Sequence, residues 1–435
     1  MENQNSNRAF EINEGCLIKY LGTENNVKIP NGVTCIGEWA FSGSDIESVV
    51  LSESVLIIGE NAFFGCRNLK TVHFSNGLKV IDRGAFKYCS SLTSVFLPDS
   101  LEEIREEAFR RCYSLSNIVL SNSLFFIGRW AFEDVPEVAF TEFENGYYCR
   151  TRDNPFYLFV KEIDYSAYYC LINKQCKVIA AHAFYSGEYS EKENNMALKS
   201  VILPDSLISI CDYAFDQCGI ISIHIPDSVK YLGNGAFFEC RSLVDIRLPN
   251  QLTILKSSIF DGCPFSSILI PISVVKIEES AFSSCRSLTS IMLPPNIIEI
   301  GNSAFIGCYS LRSVVLPYYL KTIGDSCFRY CKSLERVDLP STLRTIGEEA
   351  FRECELLSQI NIPAGVERIE MYTFSHCSSL VSATIPESIT FIGYGAFSNC
   401  TALSEFNYPK TPIETEEDIF YKCPNLKPKP RFKKR

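Results

Sequence analysis

A phenylalanine recurs along this chain at a nearly constant interval. Phe41, Phe63, Phe86, Phe109 and Phe132 come first; Phe184, Phe215, Phe237, Phe260, Phe282, Phe305, Phe328, Phe351, Phe374, Phe397 and Phe420 follow. The step is 22 or 23 residues except across an interruption spanning roughly 133–200. Sixteen copies at that period define a solenoid, in which each short coil buries its apolar side only against its neighbours. The length of 435 residues would otherwise suggest several globular domains.

Each copy divides into three pieces. Leu288 to Pro294 and Leu311 to Pro317 have apolar residues at strand-like spacing, ended by a proline whose missing N–H does no harm there. Leu343-Arg-Thr-Ile-Gly347 is a second short extended piece, and Glu348 to Cys354 reads as one or two helical turns with Ala350, Phe351 and Cys354 pointing inward. The position after the isoleucine is glycine in eight copies, Gly37, Gly59, Gly128, Gly233, Gly301, Gly324, Gly347 and Gly393, but Lys256 or Glu278 in others. A corner that demanded positive φ would tolerate those poorly, so this corner favours glycine without requiring a left-handed residue.

The period also sets the domain boundaries. Residues 1–30 read as an N-terminal β cap built from Phe10–Ile12, Leu17–Tyr20 and Val27–Pro30, covering the first open edge of the stack. A first repeat block occupies 31–135, an aromatic β-hairpin island 136–177, and a second block of the same solenoid 178–423. Glu188 to Asn195 forms a polar surface loop, and 424–435 a basic disordered tail.

Composition narrows the function classes. Apolar content of 46% and charge of 21% suit a folded chain, and no apolar run is long enough to span a membrane. The net charge is −10, and Lys427, Lys429, Arg431, Lys433, Lys434 and Arg435 leave the body at −16 (−10 minus 6). Such a body argues against a nucleic-acid footprint, which needs clustered cations. The polar N-terminus has no signal-peptide pattern, so a cytoplasmic location is expected, with export by a non-classical route to the cell surface as the alternative.

Thirteen of the 20 cysteines stand three residues after the repeat phenylalanine, as Cys308 after Phe305 and Cys331 after Phe328. Ser44, Val135 and Gly187 replace them in the other copies, which is what a tight packing site tolerates. A reduced, buried ladder is expected. The four histidines, His73, His182, His224 and His376, are dispersed, and no Cys-x-x-Cys occurs, so no metal is expected. Glu348-Glu349 and Glu416-Glu417-Asp418 fall at variable repeat positions. No phosphate-binding glycine loop or nucleophile elbow is present. We expect no enzyme activity, no catalytic residue and no cofactor.

The unit Leu-Pro-x-x-Leu-x-x-Ile-Gly-x-x-Ala-Phe-x-x-Cys-x-x-Leu-x-x-Ile, nearly complete at Leu316–Leu339 and Leu339–Ile362, resembles the BspA-like (Treponema pallidum-type) leucine-rich repeats over about 30–423. Phe10-Glu-Ile with Lys19-Tyr-Leu-Gly, and Asn154-Pro-Phe-Tyr with Leu158-Phe-Val-Lys161, look like the cap and island of bacterial members. The resemblance implies a curved right-handed leucine-rich repeat solenoid, mainly β with short helical turns. From the strand spacing, sixteen coils would extend roughly 75 Å. It also implies binding, often as a surface protein or adhesin, without a shared catalytic motif.

In such repeats the variable strand positions face outward. The last of them carries Val50, His73, Phe96, Val119, Ile202, His224, Arg247, Leu269, Met292, Val315, Asp338, Asn361, Thr384 and Asn407. The apolar middle of that column suggests a partner site, at Phe96, Val119, Ile202, His224, Arg247, Leu269, Met292 and Val315. A second candidate contact is the island cluster of Tyr147, Tyr148, Phe156, Tyr157, Tyr168 and Tyr169, with a structural role for the island as the alternative. The expected function is a monomeric protein–protein interaction scaffold; the alternative is an adhesin binding host proteins or glycans.

Overall fold

A computed structural model describes residues 9–185, 197–407, 410, 413–427 and 433–434. The chain divides into two compact units, the first formed by 1–184 and 203–214, the second by 185–202 and 215–435. Both are stacks of three-sided coils.

On the first side, three-residue strands pair in parallel and in register. Ser290–Met292 pairs with Ser313–Val315 in the second unit, and Ser48–Val50 with Thr71–His73 in the first. On the second side, two-residue strands do the same: Lys276–Ile277, Glu299–Ile300, Thr322–Ile323 and Thr345–Ile346 form one ladder. Parallel pairing across a single coil is possible because the intervening residues make the crossover that a parallel ladder requires.

The third side corrects the expectation of helical turns. The segment Glu348 to Cys354 is a chain of turns, and among the described residues the one helix is the three-residue 3-10 turn Glu137–Ala139. Glu349 and Glu353 have φ of 55° and 64°. The same two columns, two residues before and two after the repeat phenylalanine, are left-handed in every described copy: Ser303 and Gly307 around Phe305, Ser326 and Tyr330 around Phe328. This alternation aims successive N–H groups in different directions. Those of Glu349, Phe351 and Glu353 donate to Met371, Thr373 and Ser375 of the next coil, each at 2.9 Å. Those of Ala350, Arg352 and Cys354 donate three residues back within their own coil, at 3.4, 3.0 and 3.3 Å. An α-helix would send every N–H four residues back and leave the neighbouring coil unpaired.

The glycines after the isoleucine owe their place to crowding. None of Gly37, Gly59, Gly301, Gly347 and Gly393 has positive φ. A Cβ on Gly347 would stand 2.5 Å from the Asp325 backbone nitrogen, and one on Gly393 2.7 Å from that of Met371. The coils touch backbone to backbone at this corner.

The core is a column of rings. Phe41, Phe63, Phe86, Phe109 and Phe132 stack in the first unit at centroid separations of 4.8–5.6 Å. In the second unit Phe282, Phe305 and Phe328 stack at 5.3 Å and within 5° of parallel. The rings sit about one coil apart, since the strand spacing of ~4.8 Å leaves just enough room for offset stacking. Alanines, leucines and isoleucines fill the space around them.

The N-terminal strands Phe10–Asn13 and Cys16–Tyr20 form an antiparallel hairpin, and Asn26–Lys28 joins the first three-residue ladder. Within the island, Thr141–Phe143, Gly146–Cys149 and Leu158–Glu162 are antiparallel, and Leu158–Phe159 returns to parallel pairing with Val178–Ile179. The loop expected at Glu188 to Asn195 lies outside the described residues, as does half of the tail, 428–432 and 435; Lys433–Lys434 pairs in parallel with Glu414–Thr415.

Candidate interaction surface

In the second unit the three-residue strands on the first side bury their middle residue and expose the last. Ile291 and Val314 point into the core while Ser290, Met292, Ser313 and Val315 point out, as the alternation of a strand dictates. Parallel register then stacks equivalent outward residues into columns. In the second unit Leu269 bridges to Met292 and Met292 pairs with Val315. These three are 82%, 79% and 74% exposed. A single exposed aliphatic residue needs no explanation; three in register form a continuous apolar ridge.

Charged residues close this ridge at both ends. One coil before Leu269 lie Asp245 and Arg247; one coil after Val315 lie Arg336 and Asp338. All four are exposed. Arg247 reaches Asp227 at 3.8 Å, and Arg336 reaches Asp338 at 2.9 Å. Beside the apolar column, on the same face, runs a column of exposed serines, Ser267, Ser290 and Ser313.

The structure places the other expected contact residues as follows. Phe96, Ile202, His224 and Arg247 are exposed, as read from the sequence. Val119 is not: it is 4% exposed and bridges to Arg150, whose carbonyl also accepts the Leu120 N–H at 2.8 Å. The island covers that strand, so Val119 belongs to the core and not to a free surface.

The island cluster is likewise corrected. Tyr147, Tyr148 and Tyr157 are buried and Phe156 is half-buried. Tyr148 packs edge-on against Phe156 and Phe159 at 5.6 and 5.3 Å. The Tyr157 hydroxyl donates to the Asn122 and Leu124 carbonyls at 2.8 and 3.0 Å. Tyr148 packs inside the island, and Tyr157 ties the island to the preceding coil of the first unit. Tyr168 and Tyr169 alone of the six are well exposed.

Three sets of residues escaped the sequence reading. Ile272, Tyr318 and Tyr319 are exposed in the turns that follow the ridge strands. The available signal was that Pro271-Ile272 and Pro317-Tyr318-Tyr319 stand where Pro98-Asp99-Ser100 and Pro226-Asp227-Ser228 carry polar residues. Second, the ladder thiols are donors as well as fillers: Cys308 Sγ lies 3.2 Å from the Phe282 carbonyl and Cys331 Sγ 3.2 Å from that of Phe305. Third, Glu107 and Glu349 are each gripped by two cations. Lys87 and Arg110 hold the first, Arg329 and Arg352 the second. Burial alone would raise the Glu107 carboxyl, but the Lys87 and Arg110 hydrogen bonds outweigh it and hold it below the ordinary range.

Burial pushes up ladder thiols such as Cys89, Cys263 and Cys354, and that of Cys112 to about 12, which suppresses the reactive thiolate. Cys16 and Cys35, paired directly across adjacent parallel strands, are joined by a disulfide. This pair departs from the reduced environment expected from the sequence; it joins the cap to the first repeat and lies outside the ladder, whose thirteen cysteines are among the eighteen that are free and buried. Among the described residues no group of three His, Cys, Asp or Glu could hold a metal, and no helix is long and apolar enough to cross a membrane.

Parallel short strands, a phenylalanine column and outward variable positions define a leucine-rich repeat solenoid. The sequence matches the profile of the BspA type leucine rich repeat region (6 copies) over residues 11–139, 208–331 and 298–427. The chain belongs to that family. A leucine-rich repeat protein from Bacteroides ovatus is similar at 25% identity and a TM-score of 0.50, over 97% of this chain and 94% of that one. A leucine rich cell surface protein from Faecalibacterium prausnitzii is 26% identical over 92% and 93% of the two chains, at a TM-score of 0.37. No curated protein matches.

Proposed function

We propose that this chain is a protein–protein interaction scaffold whose contact surface is the outward strand face of the second unit. The ridge of Leu269, Met292 and Val315 carries this reading, because aliphatic side chains this exposed gain most from being covered. Ile272, Tyr318 and Tyr319 widen the apolar area in the adjoining turns. Leucine-rich repeats commonly serve as interaction scaffolds, and membership of the family supports the same conclusion. Placing a photo-crosslinking residue at Val315 should capture a protein partner, whereas one at Glu299, on the second side of the coil, should not. Met292→Glu should abolish the capture. Equal capture from both positions, or capture indifferent to Met292→Glu, would remove the ridge from consideration.

One observation favours an adhesin reading as the second choice. The Cys16–Cys35 disulfide suits an oxidising compartment. Intact source cells treated with protease should then lose the protein; full protection would set the adhesin aside.

A further inference from the structure

The charges that close the apolar ridge repeat in a specific order. The coil before it presents Asp245 and then Arg247; the coil after it presents Arg336 and then Asp338. Met292 is the midpoint, two coils from either end. Along the last outward column the sequence of side chains is therefore cation, Leu269, Met292, Val315, anion. Along the first outward column it is anion, Ser267, Ser290, Ser313, cation. Each column is the charge inverse of itself when read backwards.

A two-fold axis parallel to the strand Ser290–Met292, running between two facing sheets, reverses the order of coils and leaves each column opposite itself. Under that operation Met292 meets Met292 of the other copy, and Leu269 meets Val315. Serines meet serines. Arg247 meets Asp338 and Asp245 meets Arg336, each twice by symmetry. Two ridges of about 19 Å, from four strand intervals, would thus be closed at both ends by opposite charges. A packing that kept the coil order and still laid ridge on ridge would set Arg247 against Arg247 and Asp338 against Asp338.

Resting on the strand-face reading above, we infer that the partner fitting this ridge is a second copy of the same chain, docked face to face about that two-fold axis. The apolar ridge supplies the affinity, and the four charge pairs at its ends set the direction and register. Docking exchanges the present contacts of Arg247 with Asp227 and of Arg336 with Asp338 for contacts across the interface. This departs from the monomer expected from the sequence, which read the column as a list of exposed residues and not as an ordered set.

Sedimentation velocity of the full chain over a range of concentrations tests the inference. The wild type should show a reversible dimer, and Met292→Glu should make it monomeric. Arg247→Asp alone, or Asp338→Arg alone, should weaken self-association by at least about tenfold, because each creates two like-charge contacts. Mixing the two single variants should restore it, since a heterodimer then has opposite charges at both contacts, and the double variant should also dimerise. Far-UV circular dichroism guards against misfolding of these exposed-site variants. A chain that stays monomeric throughout, or a dimer indifferent to these changes, overturns the second copy. The Val315 crosslink separates that failure from failure of the strand face: a monomeric chain that still crosslinks a different protein through Val315 keeps the face and loses the second copy.

Discussion

Single residues on the third side of each coil carry the feature that most separates this fold from a helical one. Ser303 has φ of 55° and Ser326 of 53°, a conformation that costs a non-glycine residue about 1–2 kcal/mol. The cost is offset by the inter-coil hydrogen bonds it enables, such as Ser303 N–H to the Asp325 carbonyl at 2.7 Å. Ser303→Val should therefore destabilise the second unit by about 1–2 kcal/mol, while Ser303→Gly should be neutral or stabilising; urea unfolding distinguishes them. Phe305 is sandwiched between Phe282 and Phe328, so Phe305→Ala should cost about 3–5 kcal/mol by the same measurement. His182 stacks on Tyr213 at 5.3 Å, and burial, aided by Arg129, pushes its imidazole down to about 3. Its unfolded counterpart takes up a proton below about pH 6.5. Stability of the first unit should accordingly fall as pH drops from 6.5 towards 3, by up to about 1.4 kcal/mol per pH unit from this residue. His182→Asn, which accepts the left-handed backbone, should remove that component; an unchanged slope would show that another group titrates there.

At the scale of the element, the coil is the unit of stability, because each coil pairs only with its neighbours. Removing one complete repeat, residues 302–324, should leave a folded second unit with slightly lower stability, whereas removing 302–312 should break the register of all three sides. Circular dichroism melts of the two deletions decide the point. The island behaves otherwise. Leu158–Phe159 pairs with Val178–Ile179, and Tyr157 donates to the coil at Asn122 and Leu124. Deleting 140–172 should therefore unfold part of the first unit, and a variant that kept its full melting transition would return the island to the surface. The sequence marked this stretch as aromatic and β-rich, but aromatic density is shared by contact patches and satellite cores. Only the hydrogen bonds of Tyr157 and the burial of Tyr147 and Tyr148 separate the two.

At the scale of the whole molecule, the thiols report the integrity of most coils together. The eighteen free cysteines are buried, and desolvation raises thiols such as those of Cys89, Cys112 and Cys354. The native chain should react negligibly with a thiol reagent at neutral pH and release eighteen equivalents on denaturation without reductant. Rapid labelling of a native ladder cysteine would contradict the packing described. The repeat period of Phe41 through Phe420 determined by itself that the chain is a solenoid, which residues face inward and which strand positions face out, because a 22–23-residue coil can bury its apolar side only by stacking in phase. It could not determine the path of the backbone between Gly347 and Cys354, since left-handed residues there are Glu, Ser, Tyr and Trp as readily as Gly. Nor could it separate exposed Met292 from buried Val119, two aliphatic residues in one column. Tertiary structure decided that, because burial at an outward position depends on what the island, elsewhere in the sequence, is folded against.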